Sequence, residues 1–348
     1  MSGRSDSGPD VTVITPTKNR LPLLRDTLDS VAAQTFANWE HIVVDDGSND
    51  GTDEVMAAKS ARDPRVRYIK RCSETSGANA CRNQAINEAR ASLIVFLDSD
   101  DLLRRDCLEL RVRIMQRNLE LDFAVFRGSA FETTPDKSKR IYHQHPPGDD
   151  LLRFLTHECI WEITSPIWRR EFLMRIGCFD EELLSMQDLE MHVRAISFRG
   201  RYLSFPNVDH DIRWQPDSTK TSVRHFKDLE YIAGAEMIRT KLLAAVKNGG
   251  LLTWSRRRAI TAFCFNSAEL WARHGRLSKA LQVWHRGCVE PRAGLVLVSG
   301  YLMLIAASLG PGQAGLPARV INKWKGWVRF RPEPSLLTTA DEPDRLRP

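Results

Sequence analysis

The regular alternation of strand-like and helix-like segments over the first hundred residues constrains the fold most. Four short apolar runs are separated by segments whose apolar residues recur at helical spacing; the runs are 11–15, 41–46, 66–70 and 92–101. Strands that alternate with helices in this way predict a parallel sheet covered by helices. The fourth run is almost continuously apolar, which is typical of a strand buried on both faces. We therefore expect an α/β domain.

The pattern changes after residue 101. Residues 102–118 have the spacing of a helix, 122–132 have the composition of a strand, and a strand from residue 165 precedes a helix from about Gln187. Residues 225–290 are mostly helical in pattern. The chain is therefore predicted to contain four regions: a flexible leader at 1–10, an α/β domain at 11–222, a smaller helical region at 223–332 and a disordered tail at 333–348.

Two of the predicted strands end in carboxylates. Asp45 and Asp46 close the second run, and Asp98, Asp100 and Asp101 close the fourth. Ligands of such sheets bind beyond the carboxyl ends of the strands, so both groups are expected to line one cleft. Like charges buried together need compensation, and clustered oxygen ligands suit Mg²⁺ or Mn²⁺ beside a phosphate. Taken singly, each group also fits an ordinary acidic turn or helix cap.

Composition narrows the class of protein only a little. The chain has 348 residues, of which 42% are hydrophobic and 27% charged, so it is neither fully disordered nor fibrous. The net charge of +6 suits phosphorylated substrates or an anionic membrane surface, and is equally compatible with neither. No recognised motif supports a nucleic-acid partner. Seven cysteines without a CxxC pair and a polar N-terminus predict a cytoplasmic protein without a signal peptide.

Four motifs in a fixed order carry a resemblance to a known family. "VITPTKNR", "QTFANWEHIVVDDGSNDGT", "GANACRNQAI" and "LIVFLDSDD" resemble family 2 glycosyltransferases with the GT-A fold. Downstream, "GCFDEELLSMQDLEMHVRA" is similar to the catalytic-base region of that family. The resemblance covers about residues 11–220, and the C-terminal third resembles the helical tail of many bacterial members. It implies a Rossmann-like, mostly parallel central sheet flanked by helices, with a smaller α-helical C-terminal region.

The resemblance also implies a binding site for a nucleotide-sugar donor. The positions that match nucleotide-binding positions of the family are Thr15, Pro16, Thr17, Arg20, Asp45, Asp46, Arg82 and Asp100. Among these, Asp46 matches the carboxylate that reads the base, and Asp100 is expected at the ribose. Asp101 matches the metal ligand, and Asp98 is expected to help hold the site. Arg82 is expected near the base or the phosphates, with a helix-surface charge as the alternative.

The catalytic base that the resemblance implies is Asp188. A carboxylate at this place takes the proton from the acceptor hydroxyl as that oxygen attacks the anomeric carbon, which inverts the anomeric configuration. The chain departs from the family at Gln187, where an acidic residue is frequent. Glu190 is an alternative base. Asp188 also fits a structural role, since an acidic residue at a helix N-terminus is favoured by the helix dipole.

Residues 213–222 lie where the family often has a loop that closes over the diphosphate. Arg213 or Lys220 is expected to bind phosphate, and Trp214 is expected either to stack on a sugar or to pack in the core. The two histidines that flank this loop, His210 and His225, are more simply explained as structural residues.

The C-terminal region combines an uncharged stretch with a basic, tryptophan-containing one. Residues 293–318 contain no charged residue, whereas 319–332 mix Arg and Lys with Trp and Phe. This composition favours docking of 293–332 on an anionic membrane surface. A helix buried against the rest of the protein and a short membrane span are the alternatives. A protein docked in this way is expected on the inner face of the cell membrane.

Three functions compete at this stage. The first is an inverting, metal-dependent transfer of a sugar, most simply from a UDP-sugar, to a glycan or lipid-linked acceptor in surface-polysaccharide synthesis. The second is a degenerate transferase domain that binds nucleotide or glycan without turnover, although it retains Asp100, Asp101 and Asp188. The third, a nucleotidyltransferase, would need a glycine-rich loop after the first strand, and "TPTKNRLP" contains no glycine.

Overall fold

The computed structural model describes residues 8–72, 74–135, 140–141, 148–156, 158–214, 229–288, 294–308, 320–321 and 323–324. The predicted tail at 333–348 and most of the predicted leader lie outside these residues. The chain forms two compact units. Unit 1 comprises Met1–Pro146, Ile160–Glu182 and Gly200–Pro216, and unit 2 comprises Pro147–Cys159, Leu183–Arg199 and Asp217–Pro348.

Unit 1 contains the strands and the helices that alternate with them. In chain order its elements are β1 (Val11–Thr17), α1 (Leu21–Ala32), β2 (Trp39–Asp45), α2 (Thr52–Arg62), β3 (Val66–Lys70), α3 (Ala78–Glu88), β4 (Leu93–Phe96), β5 (Leu102–Leu103), α4 (Cys107–Arg117), β6 (Phe123–Phe131), β7 (Arg140–Ile141), β8 (Pro166–Arg169), α6 (Arg170–Arg175) and β9 (Tyr202–Arg213). The predicted alternation of strands and helices over the first hundred residues is confirmed.

The strands form one mixed sheet in the order β3-β2-β1-β4-β8-β6-β9-β5, with β7 paired to β6. β3, β2, β1 and β4 are parallel neighbours, as predicted. From β8 onward the sheet is not uniformly parallel, because β8 runs antiparallel to both β4 and β6. The residues of β1, β2 and β4 are buried throughout, so these strands are covered on both faces, whereas most of β3 is only partly buried.

One predicted helix begins later than its sequence pattern indicates. Residues 102–118 were expected to be helical throughout, whereas α4 begins at Cys107. Leu102 and Leu103 instead form β5, which pairs antiparallel with Asp211 and His210 of β9. Pairing with a strand more than a hundred residues away outweighs local helical spacing here.

Unit 2 is helical. Its elements are α5 (Asp150–Leu155), α7 (Gln187–Ser197), α8 (Leu229–Asn248), α9 (Trp254–Arg273), α10 (Leu277–Gly287) and α11 (Gly294–Ser308). Aromatic rings fill the core between α9, α10 and α11, where Phe265 meets Trp284 edge-on with ring centroids 5.5 Å apart. The segments 147–159 and 183–199 join this unit although they lie within the predicted domain 11–222.

None of the helices in the described part of the chain is both long and apolar enough to span a membrane.

Candidate active site

The carboxyl ends of β1, β2 and β4 lie side by side. Thr17 is in register with Asp45, and the amide of Asp46 donates to the carbonyl of Thr17 at 2.9 Å. On the other side of β1, the amide of Leu97 donates to the carbonyl of Ile14 at 2.9 Å. The two acidic strand ends therefore flank the end of β1, as the parallel order of the strands predicts.

Asp45 is held by the fold on both of its carboxylate oxygens. One oxygen accepts from the amide of Ser48 at 3.0 Å and from its hydroxyl at 2.5 Å. The other accepts from the hydroxyl of Tyr68 at 2.8 Å. Gly47, which precedes Ser48 in this loop, has φ +89°, a conformation that glycine adopts without strain. Asp45 therefore fixes the loop after β2, and its predicted contact with nucleotide stays a prediction.

Asp46 is a buried carboxylate surrounded by donors. It accepts from Lys18 Nζ at 3.0 Å, from the amide of Gly77 at 3.1 Å and from Arg71 Nε. Burial raises the pKa of Asp46, but the hydrogen bonds from Gly77, Lys18 and Arg71 together lower it below its ordinary value. Asp46 is therefore ionised, which suits an acceptor for a base N–H.

Three partners of Asp46 were missed by the sequence analysis. Lys18 lies inside the quoted motif "TPTKNR", where only its neighbours were chosen. Arg71 directly follows β3, so it lies at the carboxyl end of a third parallel strand. The same rule that selected the acidic strand ends would have found it. Gly77 contributes only its backbone amide, which no side-chain motif reveals.

The three residues of β1 that were predicted to bind nucleotide differ in the contacts that their side chains already make. The Thr15 hydroxyl is 2.9 Å from His41 Nε2, so it already has a buried partner. Pro16 is buried in the strand. The Thr17 hydroxyl is buried and has no hydrogen-bond partner in the described part of the chain. Because a buried hydroxyl without a partner costs free energy, Thr17 is the residue of this group best placed to gain from a ligand.

Asp98, Asp100 and Asp101 form a compact carboxylate cluster. Each offers one oxygen, and these three oxygens lie within 4.8 Å of one another. Asp101 accepts from the amide of Arg213 at 2.9 Å. Burial, and then the charges of Asp100, Asp98 and Glu162, raise the pKa of the Asp101 carboxyl well above its ordinary value. A divalent cation would remove this repulsion, and three clustered carboxylates are the oxygen donors that Mg²⁺ and Mn²⁺ prefer, so the residues fit such an ion.

Two arginines hold the ends of this cluster. Arg20 lies 3.1 Å from Asp100 Oδ2, and Arg82 donates to Asp98 Oδ1 at 2.7 Å. Arg82 is only 2% exposed and also donates to Asn79 Oδ1 at 3.3 Å. The alternative that Arg82 is a helix-surface charge is therefore wrong. The contact with Asp98 gives Arg82 a role in orienting the carboxylate cluster.

Arg213 ends β9 beside the same cluster, and Trp214 follows it in the chain. Besides its amide contact with Asp101, Arg213 donates to the carbonyl of Asp100 at 3.1 Å and to Asp26 at 2.9 Å. It therefore supports the acidic loop, and its predicted phosphate contact stays a prediction. Trp214 is 52% exposed, so the alternative that it packs in the core is wrong. Lys220 and His225 lie outside the described residues.

His210 is a structural residue, as expected. Its ring is fully buried between two carboxylates, with Nδ1 2.8 Å from Asp209 and Nε2 2.5 Å from Glu162. Burial lowers the pKa of His210, but the charges and hydrogen bonds of Glu162 and Asp209 together raise it above its ordinary value. Arg111 completes this buried network with two 2.7 Å hydrogen bonds to Asp209.

The predicted bases lie in the first turn of α7, in unit 2. Asp188 is half-buried, and its Oδ1 accepts from the amide of Leu189 at 2.8 Å. Glu190 is buried, and both of its oxygens accept from Arg194 at 2.8 Å. Met186, which precedes the helix, has φ +55°. The donor-site residues described above belong to unit 1, and the roles of Asp188 and Glu190 stay predictions.

Comparisons with known proteins agree with this fold and these motifs. The family model described as "Glycosyl transferase family 2" matches residues 12–177. TuaG of Bacillus subtilis strain 168, provisionally assigned to teichuronic acid biosynthesis as a glycosyltransferase, is 37% identical over 128 residues, which are 36% of this chain and 50% of TuaG. An uncharacterized glycosyltransferase of Rickettsia typhi, RT0329, is 28% identical and covers 64% of this chain and 70% of its own. The chain spans half or less of the length of the first curated relatives it matches.

Solved structures extend the similarity beyond the matched segment. TarS 1–349 of S. aureus, in complex with UDP-GlcNAc, has a TM-score of 0.66 and 18% identity, covering 92% of this chain and 90% of that one. The mannosyltransferase PcManGT from Pyrobaculum calidifontis, in complex with GDP-Man and Mn²⁺, has a TM-score of 0.53 and 18% identity, covering 93% and 86%. At these identities the likeness shows the fold alone, which is the GT-A fold expected from the sequence. The segment 12–177 of this chain matches the model of glycosyltransferase family 2.

Proposed function

We propose that the chain is an inverting, metal-dependent glycosyltransferase. It moves a sugar from a nucleotide-diphosphate sugar, a UDP-sugar, to a hydroxyl of a glycan or lipid-linked acceptor in cell-surface polysaccharide synthesis. The observation that carries this proposal is the cluster of Asp98, Asp100 and Asp101, with oxygens within 4.8 Å of one another, at the strand ends that also hold Asp46.

The donor is recognised by residues at the ends of β1, β2 and β4. Asp46, ionised by its surrounding donors, accepts from the base, and the unpartnered hydroxyl of Thr17 donates to the nucleotide. Asp100 contacts the ribose, and Arg20 beside it meets the diphosphate. Asp98, Asp100 and Asp101 would hold Mn²⁺ or Mg²⁺, with Asp101 as the principal ligand, and the bound cation would supply positive charge for the leaving diphosphate.

Asp188 is the general base of this proposal. It takes a proton from the acceptor hydroxyl while that oxygen attacks the anomeric carbon and the bond to the diphosphate breaks. Glu190 is a poorer candidate, because both of its oxygens are occupied by Arg194. Asp188 lies in the first turn of α7, where the helix dipole favours a negative charge.

The names of the structural neighbours support the donor class. TarS is described with UDP-GlcNAc, and PcManGT with GDP-Man and Mn²⁺. Of these donor classes, the proposal for this chain is a UDP-sugar. An anionic membrane surface at residues 293–332 and a location on the inner, cytoplasmic face of the cell membrane complete the proposal.

A thermal-shift screen tests the donor site directly. UDP, GDP, CDP, ADP and UMP are compared with Mn²⁺, Mg²⁺ or EDTA, because a ligand that binds the folded state raises the unfolding temperature. We expect UDP with Mn²⁺ to raise it most and EDTA to remove most of the effect. A chain whose unfolding temperature is unchanged by every nucleotide and both cations would refute the proposal.

Substitution of the base separates an enzyme from a binding domain. In Asp188→Asn, turnover should fall by about 100-fold or more, a typical contribution of a general base, while the UDP-induced thermal shift stays near that of the unmodified chain. Glu190→Gln serves as the comparison and should retain more activity. Donor hydrolysis or transfer that is unaffected by Asp188→Asn would remove Asp188 from the mechanism. Nucleotide binding without turnover in the unmodified chain would support the degenerate binding domain instead.

A further inference from the structure

Helix α11 presents three large apolar side chains to solvent. Val298 is 55% exposed, Leu302 58% and Ile305 41%. Spacings of four and three residues place them on one face of the helix. We call these three residues the apolar stripe. A contiguous exposed stripe of this kind on an uncharged helix is typical of an interaction surface.

The opposite face of α11 is anchored in the core of unit 2. Leu304 is fully buried there, and Trp284 Nε1 donates to the carbonyl of Leu297 at 2.9 Å. Gly300 lies directly against the Trp284 indole, where an added Cβ would come within 2.4 Å of ring atoms. Helix α11 therefore packs closely on α10 along one face, and the apolar stripe is turned away from that contact.

Two contacts made by α11 are each adjacent in sequence to an exposed basic residue. In the first, Tyr301 is hydrogen-bonded to His285 at 2.6 Å, and the next residue, Arg286, is exposed. In the second, Trp324 donates to the Ser299 hydroxyl at 3.0 Å, and the preceding Lys323 is exposed. An apolar stripe with aromatic and basic residues near it matches the depth profile of a lipid headgroup region.

The helices that precede α11 in the chain carry a net positive charge. Residues 231–288, which include most of α8 and all of α9 and α10, contain ten Lys and Arg against two Asp and Glu. A second copy of the chain facing the stripe across a twofold axis would bring like charges together. An anionic bilayer instead attracts them, by about 1 kcal/mol per basic residue near the surface.

We propose that the apolar stripe of α11 inserts into the headgroup region of an anionic phospholipid surface, with Arg286 and Lys323 at the lipid phosphates. The inference rests on the membrane partner within the proposed function and not on the transfer reaction itself. It identifies α11, rather than the whole of 293–332, as the element that meets lipid.

Vesicle flotation of the full chain tests this inference. The chain is mixed with phosphatidylcholine vesicles that either contain or lack phosphatidylglycerol, and the floating fraction is measured as salt is raised. The test variant is Val298→Ser/Leu302→Ser/Ile305→Ser. The control is Leu119→Ser, which alters an exposed leucine of unit 1. A cooperative thermal unfolding transition of each variant shows that it folds.

The unmodified chain and Leu119→Ser should float with phosphatidylglycerol vesicles and be released by salt, whereas the triple variant should bind about tenfold or more weakly. Equal flotation of the triple variant would overturn the inference, as would equal binding to neutral vesicles. Conversion of a solution dimer to a monomer by the triple variant, measured by light scattering, would assign the stripe to a second copy instead. Vesicle binding without any nucleotide binding would leave this inference standing while the transferase proposal fails.

Discussion

Asp101 is a carboxylate that the fold of unit 1 places among other negative charges. It is buried with Asp98 and Asp100 beside it, and its pKa is raised by burial and by these neighbours. Among the described residues, its side chain accepts one hydrogen bond, from the amide of Arg213. A group in this state gains more from a cation than either neighbour, both of which already face an arginine.

Asp101→Asn is therefore expected to uncouple nucleotide binding from the cation. Removal of one charge relieves the repulsion within the cluster but also removes the principal ligand, so UDP should bind with an affinity that Mn²⁺ no longer improves. Isothermal titration with and without Mn²⁺ measures this difference. Glu120→Gln, at an exposed glutamate, should keep the full Mn²⁺ effect. An Asp101→Asn protein with the same Mn²⁺ dependence as the unmodified chain would move the metal ligand elsewhere.

His41 gives the chain a definite response to acid. Burial, followed by the charge of Lys59, lowers the pKa of His41 to about 3. The unfolded chain binds a proton at His41 near pH 6.5 and the folded chain does not, so the stability due to this residue is complete above pH 6.5 and is lost as the pH falls towards 3. The slope approaches about 1.4 kcal/mol per pH unit within that window.

In His41→Gln, the free energy of unfolding should change less between pH 7 and pH 5 than in the unmodified chain. Glutamine cannot take up a proton, and its amide can still bond to the Thr15 hydroxyl. Urea unfolding at several pH values gives the comparison. Carboxylates titrate mostly below this range, so an unchanged slope would show that His41 is not held neutral.

The site could be predicted from the sequence as far as its strand ends, but not residue by residue. Asp45 and Asp46 are neighbours of the same type, and sequence cannot distinguish them. The structure does so through Tyr68, which lies on β3 and binds Asp45, while Arg71 beyond that strand binds Asp46. These partners are 23 and 25 residues away in sequence, so side-chain roles depend on sheet register, which local patterns do not contain.

Helix α3 links the carboxylate cluster to a distant segment of unit 1. Arg82 on this helix donates to Asp98, and one residue later Asn83 holds the segment at 179–181. Asn83 accepts from the amide of Phe179 at 2.9 Å, donates to its carbonyl at 2.9 Å, and donates to Glu181 at 2.8 Å. One side chain therefore satisfies both backbone groups of a buried residue.

Asn83→Ala should destabilise the fold by about 1–3 kcal/mol, because it leaves the buried amide and carbonyl of Phe179 without their partner. Asn87→Ala is the matched control, since Asn87 is exposed one turn further along α3. It should change stability by less than about 0.5 kcal/mol. Urea denaturation of both variants provides the measurement, and equal effects of the two changes would contradict a clamp at Asn83.

Elements were predictable where a local pattern decides them. β1 to β4 and the helices between them follow from alternating apolar periodicity. β5 and β7 have two residues each, too few to carry a period, and exist because β9 and β6 offer them edges to pair with. The antiparallel entry of β8 beside β4 likewise reflects a long-range pairing.

On the scale of the whole molecule, sequence order and spatial grouping diverge. The predicted boundary at residue 222 is a single point, whereas the two units exchange segments at several points between 146 and 217. Helix α7, which begins at Gln187, groups with the C-terminal helices although its sequence belongs to the glycosyltransferase resemblance. Composition along the chain cannot reveal such exchanges, because packing partners are chosen in space.

Hydrogen exchange should map donor binding onto unit 1. With UDP and Mn²⁺, slower exchange is expected in the segments 45–48 and 98–101, because these backbone groups surround the proposed ligand. Peptides from α9 and α10 should exchange as in the free chain. Mass spectrometry with UMP in place of UDP serves as the control for contacts that need the second phosphate. Protection confined to α9 and α10 would place the nucleotide in the wrong unit for the proposed function.

Before any donor arrives, Asp46 already has Lys18 and Arg71 as neighbours. A nucleotide base that binds Asp46 must displace Lys18 and Arg71 from this carboxylate. Part of the free energy of binding therefore offsets the loss of these ion pairs. The liberated side chains then face an incoming molecule that carries its own anions. A nucleoside diphosphate is therefore expected to bind better than an uncharged nucleoside. Its phosphates offer the displaced side chains of Lys18 and Arg71 new anionic partners, which the nucleoside does not.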